Sequence, residues 1–171
     1  MAERSSTLAN DVAGKLNVLF LCTGNSARSQ IAEALLATRG KGRFVAMSAG
    51  TAPAPAINPL ALEVLRELGI NWTGHAPRNI DEVSGAQWDI VITLCDHAKE
   101  SCPVFPNAPV MVHWGMDDPA AVQGTNAKRR LAFRRAALIL ERRVEFLVSL
   151  PSEVALNRDG LRHIFKVGSA H

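Results

Sequence analysis

Short apolar runs and longer stretches with helical spacing alternate along this chain. Continuous apolar runs predict strands at residues 17–21, 44–48, 89–94 and 110–113. Apolar residues spaced by threes and fours, with an Asn-Pro start and a glycine stop in the second stretch, predict helices at residues 27–38, 58–69 and 126–150. Unbroken apolar strands of this kind are typical of a parallel sheet that is buried on both faces.

The order of these elements predicts the fold. Strands that alternate with helices form right-handed crossovers, which cover both faces of a parallel sheet. We therefore expect an α/β, flavodoxin-like three-layer sandwich with a central parallel sheet of about four strands. Ligands of such sheets bind beyond the carboxyl ends of the strands, so the loops at Cys22, Cys95 and Trp114 are expected to share one rim.

Composition limits the number of domains and the cellular setting. The 171 residues are 47% hydrophobic, which is enough for one domain with a core of its own. Three cysteines are an odd number, which favours a reducing compartment over a disulfide framework, and no apolar run has the length of a membrane span or a signal-peptide core. We expect a cytoplasmic protein with a flexible tail at residues 1–15, one domain at residues 16–150 and a polar, weakly periodic C-terminal tail at residues 151–171.

The charge balance favours a small anionic ligand. Lys and Arg number 19 against 16 Asp and Glu, and the resulting charge of +3 is too weak to indicate nucleic acid. The last predicted helix has an apolar stripe at Phe133, Ala137, Leu140, Val144 and Leu147. Arginines occupy much of the rest of that helix, and we interpret them as a solvated face. No nucleic-acid or membrane partner is expected.

The segment between the first strand and the first helix has the features of an anion-binding loop. Cys22 ends the strand and Arg28 begins the helix, with five residues between them. Backbone N–H groups in such a loop can point inward, and the helix N-terminus adds partial positive charge. Arg28 can hold two oxygens of a tetrahedral anion, and the same field is expected to favour the thiolate of Cys22 near neutral pH. The predicted oxyanion-binding residues are Thr23, Gly24, Asn25, Ser26, Ala27, Arg28 and Ser29.

An acid is expected on the loop after the fourth strand. When an oxygen leaves the attacked centre, a proton must reach it as the bond breaks. Asp118, directly before Pro119, is placed to deliver that proton. An Asp-Pro pair is also a frequent turn former, and its expected position beside the Cys22 loop is what favours catalysis.

The ten residues Leu-Cys-Thr-Gly-Asn-Ser-Ala-Arg-Ser-Gln at positions 21–30 resemble the phosphate loop of the low-molecular-weight tyrosine phosphatase superfamily, and more closely that of its arsenate reductase branch. The resemblance covers roughly residues 16–150, including Ser48-Ala49-Gly50 and the Asp-Pro acid. It implies that Asn25 and Ser29 shape the loop, with Ser29 hydrogen-bonded to the thiolate. Cys95 and Cys102 resemble the redox pair of thioredoxin-coupled arsenate reductases, and a phosphatase has no use for them.

The resemblance implies a relay among the catalytic residues Cys22, Arg28, Asp118, Cys95 and Cys102. In this relay Cys22 attacks arsenate, Cys95 displaces arsenite from the adduct, and Cys102 moves the disulfide to the Cys95–Cys102 pair. Arsenate is then the substrate, phosphate a competing anion and thioredoxin the reductant, with no cofactor. A continuous helix over residues 95–102 would hold the two cysteine Cα atoms roughly 10 Å apart, so oxidation is expected to unwind this segment and expose Cys102.

Two alternatives stay open. The first is a low-molecular-weight protein tyrosine phosphatase whose extra cysteines protect Cys22 from oxidation, although Ala120-Ala121 stand where such phosphatases carry aromatic residues after the Asp-Pro pair. The second is a non-catalytic sensor of an oxyanion or of redox state. A reductase would retain weak activity on aryl phosphates, because the loop distinguishes phosphate from arsenate poorly.

No metal site is expected. Related reductases hold a potassium ion with an Asn, a Glu, a Ser and an Asp; Asn25, Glu33 and Ser48 match the first three, but Arg78 stands in place of the Asp. The spacing of the chain's histidines at positions 75, 97 and 113 does not suit a zinc site.

Overall fold

A four-stranded parallel sheet forms the centre of the molecule. The computed structural model describes residues 14–107 and 109–168. The strands are β1 (Leu16–Cys22), β2 (Phe44–Gly50), β3 (Ile90–Thr93) and β4 (Val110–His113). Their order in the sheet is β2-β1-β3-β4, and Leu21 of β1 pairs with Ala49 on one side and Thr93 on the other. The predicted α/β, flavodoxin-like fold with a parallel sheet of about four strands is confirmed.

Helices cover both faces of the sheet. Those of the described residues are α1 (Arg28–Arg39), α2 (Pro59–Glu67), α3 (Asp96–Glu100), α4 (Asn126–Ser149), α5 (Ser152–Ala155) and α6 (Arg158–Gly168), with short 3-10 turns at Ile80–Glu82 and Pro119–Ala121. The Asn-Pro start of α2 is confirmed, since the Asn58 side chain accepts a hydrogen bond from the N–H of Leu60 at 2.9 Å. All five residues of the predicted α4 stripe are buried. Among these helices, none is both long and apolar enough to cross a bilayer.

The sheet separates two apolar clusters, and strand β1 contributes side chains to both. Side chains alternate between the faces of a strand, so Val18, Phe20 and Cys22 of β1 point into the larger cluster with helices α1, α2 and α4. Leu19 and Leu21 point to the opposite face, where they pack in a smaller cluster. Cys102 packs at the edge of that smaller cluster, whereas Cys95 packs against both clusters. Cys95 therefore lies at the rim between the two faces of the sheet.

The C-terminal region differs from the predicted tail. Helices α5 and α6 occupy most of residues 152–168, and Leu161 and Phe165 join the larger core cluster. The Asn157 side chain caps α6 by accepting hydrogen bonds from the N–H groups of Asp159 and Gly160. Over residues 152–168 the predicted C-terminal tail therefore contains two helices, and the second packs on the core. The spacing of Leu161, Ile164 and Phe165 is a helical signal that the polar composition obscured. The predicted tail at residues 1–15 lies almost entirely outside the described residues.

Candidate active site

The loop between β1 and α1 turns its carbonyl groups outward. The carbonyl oxygens of Cys22, Thr23, Gly24 and Ser26 accept hydrogen bonds of 2.8–3.3 Å from the backbone N–H groups of Thr51, Ala52, Ala54 and Asn58. In a trans peptide unit the C=O and N–H bonds point in opposite directions, so the next N–H in each case faces the interior of the loop. The result is a concave row of amide donors, the arrangement that binds anions in many phosphate loops.

The sulfur of Cys22 lies at the floor of this loop. Cys22 is 2% exposed, and its Sγ accepts a hydrogen bond from the N–H of Asn25 at 3.2 Å. Asn25 has a φ of 50°, a left-handed conformation that asparagine tolerates better than most residues. Gly50 makes the close approach between β2 and the loop possible, because a Cβ at this position would collide with the carbonyl oxygen of Thr23 and lie 3.0 Å from the nitrogen of Asn25.

The Asn25 side chain is fully hydrogen-bonded behind the loop. Its Nδ2 donates to Ser29 Oγ at 2.7 Å and to Ser48 Oγ at 2.8 Å. Its Oδ1 accepts from the N–H of Arg78 at 2.8 Å and from Gln30 Nε2 at 3.1 Å. Ser29 Oγ in turn lies 2.8 Å from the Cys22 sulfur. The residues that the resemblance assigned to shaping the loop thus occupy its inner wall.

Burial and the polar surroundings of Cys22 act in opposite directions on the pKa of its thiol. Burial raises the pKa of the Cys22 thiol, while hydrogen bonds from Ser29 and from the Asn25 N–H, together with the charge of Arg28, act to lower it. Burial is the larger effect, so the pKa stays above its ordinary value. The sequence indicates the positive field that favours a thiolate, but not the depth of burial that opposes it.

Arg28 and Asp118 meet at the mouth of the loop. The Arg28 guanidinium is buried; its Nη1 donates to the carbonyl oxygen of Met116 at 3.0 Å and its Nη2 lies 3.9 Å from Asp118 Oδ2. The Asp118 side chain is 43% exposed and accepts a hydrogen bond from the N–H of Ala120 at 3.0 Å. Arg143, which we placed on a solvated face, is half-buried instead and donates to the carbonyl oxygen of Trp114 at 2.8 Å. It therefore holds the base of the Asp118 loop.

A cleft of about 530 Å³ opens above these groups and brings the second cysteine to them. It is lined by Arg28, Cys95, Asp96, Gly115, Met116, Asp117 and Asp118. Cys95 lies two residues beyond the end of β3 and caps α3, where its sulfur accepts from the N–H of Ala98 at 3.3 Å. The Cys95 sulfur is also 3.3 Å from Thr23 Oγ1, in the oxyanion loop itself. The predicted shared rim for the Cys22, Cys95 and Trp114 loops is confirmed by this cleft.

The third cysteine lies just beyond a very short helix. Helix α3 ends at Glu100, so residues 95–102 are not one continuous helix, and Cys102 lies in a segment without regular secondary structure. Burial raises the pKa of the Cys102 thiol. All three cysteines are free thiols, Cys22 buried and the other two partly exposed.

Several contacts of this region carry no signal in the sequence. His113 bridges two elements, with Nδ1 at 2.8 Å from Thr93 Oγ1 and Nε2 at 3.0 Å from Asp96 Oδ1. Gly115 is small because the His113 ring occupies the space that its Cβ would fill. These partners are 17 and 20 residues apart along the chain and become neighbours only through the parallel pairing of β3 and β4.

The residues that match the potassium ligands of related reductases lie together, but they do not fit that ion. Ser48 donates to the Glu33 carboxylate at 2.5 Å, and Arg78 Nη1 donates to the Ser48 carbonyl oxygen at 3.3 Å. Burial raises the pKa of Glu33, and the bond from Ser48 and the charge of Arg78 lower it without cancelling that rise. A guanidinium already supplies positive charge here and would repel a cation. Among residues 14–107 and 109–168, no group of three or more His, Cys, Asp or Glu side chains is arranged to hold a metal.

The family follows from comparison with known proteins. The family model described as low molecular weight phosphotyrosine protein phosphatase matches residues 17–161 of this chain, a range that includes α5 and the start of α6. The arsenate reductase of Halalkalibacterium halodurans is 38% identical over 128 residues, which cover 75% of this chain and 91% of that protein. The arsenate reductase of Bacillus subtilis is 38% identical over 118 residues, covering 69% of this chain and 84% of the relative.

Solved structures give the same result. An arsenate reductase in the phosphate-binding state superposes with a TM-score of 0.64 at 28% identity, covering 78% of this chain and 97% of that one. The arsenate reductase of Archaeoglobus fulgidus superposes with a TM-score of 0.62 at 32% identity, covering 78% of this chain and 99% of that one. The chain therefore belongs to the low molecular weight phosphotyrosine protein phosphatase family, within which these similar relatives are arsenate reductases.

Proposed function

We propose that this chain is an arsenate reductase in which three thiols act in turn. The observation that supports this best is the contact of 3.3 Å between the Cys95 sulfur and Thr23 Oγ1, which puts a second thiol against the oxyanion loop. Phosphate ester hydrolysis needs a nucleophile, an anion-binding arginine and an acid, but no second thiol. A thiol relay needs one.

The first step forms a covalent adduct. Arsenate binds among the inward amides of the loop and Arg28, and the Cys22 sulfur attacks arsenic after its proton has left. Because burial raises the pKa of Cys22, loss of that proton is a required part of the step. One arsenate oxygen leaves as water with a proton from Asp118, which lies at the mouth of the loop, 3.9 Å from Arg28.

The second step transfers the electrons. The Cys95 thiolate attacks the Cys22 sulfur, the sulfur–arsenic bond breaks, and its electron pair stays on arsenic, which leaves as arsenite. A Cys22–Cys95 disulfide remains. Cys22 is the last residue of β1, and Cys95 lies two residues beyond the end of β3, a neighbouring parallel strand about 4.8 Å away.

The third step regenerates Cys22. The Cys102 thiolate attacks Cys95, which frees Cys22 and leaves a Cys95–Cys102 disulfide for an external dithiol to reduce. Both of these cysteines are partly exposed, and helix α3 between them has only five residues. Thioredoxin is the dithiol we propose, acting in the cytoplasm, where thiols remain reduced.

A single-turnover experiment assigns each thiol its step. The reduced full-length protein is mixed with arsenate and no reductant, and arsenite and disulfides are measured by mass spectrometry. Wild type should release one arsenite and form the Cys95–Cys102 disulfide. Cys102→Ser should also release one arsenite but stop at the Cys22–Cys95 disulfide. Cys22→Ser and Cys95→Ser should release none.

Multiple turnover then tests the electron donor. With thioredoxin, thioredoxin reductase and NADPH, wild type should cycle and Cys102→Ser should not. Normal cycling by Cys102→Ser would contradict the relay. Cycling of wild type only with glutaredoxin and glutathione would identify these, and not thioredoxin, as the electron donor. Strong hydrolysis of aryl phosphates without arsenite would identify a phosphatase, and arsenate binding without any turnover would identify a sensor.

A further inference from the structure

Behind the oxyanion loop, buried side chains form a hydrogen-bond chain that ends at the nucleophile. Trp72 Nε1 donates to Gln30 Oε1 at 2.9 Å, and Gln30 Nε2 donates to Asn25 Oδ1 at 3.1 Å. Asn25 Nδ2 donates to Ser29 Oγ at 2.7 Å, and Ser29 Oγ lies 2.8 Å from Cys22 Sγ. These hydrogen bonds thus connect a tryptophan outside the loop to the sulfur through three intermediate side chains.

The direction of this chain is set at its far end. An indole N–H can only donate, so the oxygen of the Gln30 amide must face Trp72. This turns the amide nitrogen of Gln30 toward Asn25, whose oxygen accepts and whose nitrogen then donates to Ser29. Because Ser29 Oγ accepts there, its own hydrogen is left to point at the Cys22 sulfur. Reversal of either amide would put two donors or two acceptors together in a buried place.

We propose that Gln30, oriented by Trp72, is a positioning residue for the Cys22 nucleophile. Gln30 is 1% exposed and Trp72 is 9% exposed, so water does not replace a bond that is lost here. The N–H of Arg78 also donates to the Asn25 oxygen, at 2.8 Å. Gln30 therefore supplies one of two restraints on Asn25, and its removal should weaken the donation to sulfur without abolishing it.

The indole itself is held in place by a stacked histidine. The rings of Trp72 and His75 are 3.5 Å apart at their centroids with an angle of 3° between their planes. Gln30 Nε2 also donates to the carbonyl oxygen of Ala76 at 3.3 Å. The loop after α2 thus clamps the Gln30 amide from two sides, which favours a single orientation.

The inference rests on the proposed function only in taking Cys22 as the nucleophile. Its test measures the sulfur directly, without arsenate. A protein that fails to reduce arsenate can still show the predicted change in thiol reactivity, so the two proposals fail independently.

The test compares two variants with a matched control. Gln30→Met removes the donor to Asn25 and keeps the length of the side chain, and Trp72→Phe removes the indole N–H together with part of the ring. The control is Trp88→Phe, because Trp88 is also buried and donates to a backbone carbonyl, that of Val83, at 2.9 Å, in the cluster on the opposite face of the sheet. Alkylation of reduced full-length protein by iodoacetamide is followed from acid to alkaline pH on the peptide that contains Cys22.

Because Gln30→Met loses one buried hydrogen bond, we expect it to slow Cys22 alkylation at neutral pH roughly two- to tenfold. The midpoint of the pH dependence of that alkylation should move to higher pH. Trp72→Phe should act in the same direction by less. The double variant should react like Gln30→Met alone, because Trp72 acts through Gln30. The control should lower the midpoint of thermal unfolding and leave alkylation unchanged.

Unchanged alkylation in a folded Gln30→Met protein would show that Gln30 only supports the fold, and it would overturn the proposal. Additive effects in the double variant would overturn the role of Trp72. If Gln30→Met does not fold, the test depends on Trp72→Phe alone. Alkylation of Cys22 at the wild-type rate in that variant would then overturn the proposed hydrogen-bond chain.

Discussion

The loop at residues 22–29 and the segment at residues 95–102 both present thiols to one cleft, yet they are built in opposite ways. In the loop, carbonyl groups are bonded to the chain around them, and the buried polar side chains of Asn25 and Ser29 have defined partners. In the segment, a helix of five residues buries only Ala98, and most of its side chains face solvent. A segment with so little burial opens locally at low cost. Cys22 is therefore held still, while Cys95 and Cys102, which exchange disulfides in the proposed relay, are on backbone that can move.

The largest expected effect comes from breaking the rigid side of this comparison. Gly50→Ala puts a Cβ into the Thr23 carbonyl and against the Asn25 nitrogen, so the loop must move. Displacement of reacting groups by about 1 Å costs roughly a hundredfold in rate, and we expect a loss of that size in kcat/KM for arsenate. Phosphate binding, measured by calorimetry, should weaken as well.

Gly85→Ala is the matched control for this change. A Cβ at Gly85 meets no atom within 4 Å, so activity should stay at the wild-type level. If Gly50→Ala binds phosphate and turns over normally, the loop is not held by its close approach to β2. The loop would then not differ in rigidity from the segment at residues 95–102 for the reason given.

The next effect concerns the contact that joins the two regions. Thr23→Val keeps the side-chain shape and removes the hydroxyl that lies 3.3 Å from the Cys95 sulfur. We expect formation of the Cys22–Cys95 disulfide in single turnover to slow roughly two- to tenfold, the effect of one hydrogen bond. Alkylation of Cys22 should not change, and Thr23→Ser should restore the rate. Equal slowing by both variants would assign the effect to packing.

How much of this site was predictable depends on the distance between partners along the chain. Cys22 and Arg28 were found because they share one strand-to-helix junction, and Cys95 because it follows a recognisable strand. The bonds from Gln30 to Trp72, 42 residues away, and from Arg143 to the Trp114 carbonyl, 29 residues away, depend on packing and leave no spacing to read. The raised pKa of Cys22 was missed for the same reason, because burial is a property of the assembled layers.

A pH experiment compares the buried carboxyl of Glu33, which lies behind the loop, with an exposed carboxylate of residues 95–102. Burial raises the pKa of Glu33, so the folded protein keeps this proton to higher pH than the unfolded chain. The stability that the proton contributes is complete below the ordinary carboxyl pKa and is lost as pH rises through the raised pKa of the folded state. Glu33→Gln does not titrate, so its free energy of unfolding, measured with urea from acid to neutral pH, should fall less with rising pH than that of wild type.

The control for the pH experiment is Glu100→Gln, because Glu100 is an exposed carboxylate of the relay segment. Its slope should match that of wild type. Identical slopes for Glu33→Gln and wild type would mean that this carboxylate is as well solvated in the folded chain as in the unfolded one.

The smallest expected effect is on the mobile side. Asp96 is 87% exposed and holds α3 to His113 through a contact of 3.0 Å, and exposed pairs of this kind contribute little. Asp96→Ala should speed Cys102 alkylation and amide exchange over residues 96–101 roughly two- to fivefold. Exchange over residues 22–29 should not change, because no bond of that loop is removed. Oxidation of wild type to the Cys95–Cys102 disulfide should alter the same amides more strongly, since that bond joins the two ends of the segment and constrains the short helix between them. Equal exchange over residues 95–102 in the reduced and oxidised proteins would mean that the segment is as fixed as the loop, and that the relay would have to run without it moving.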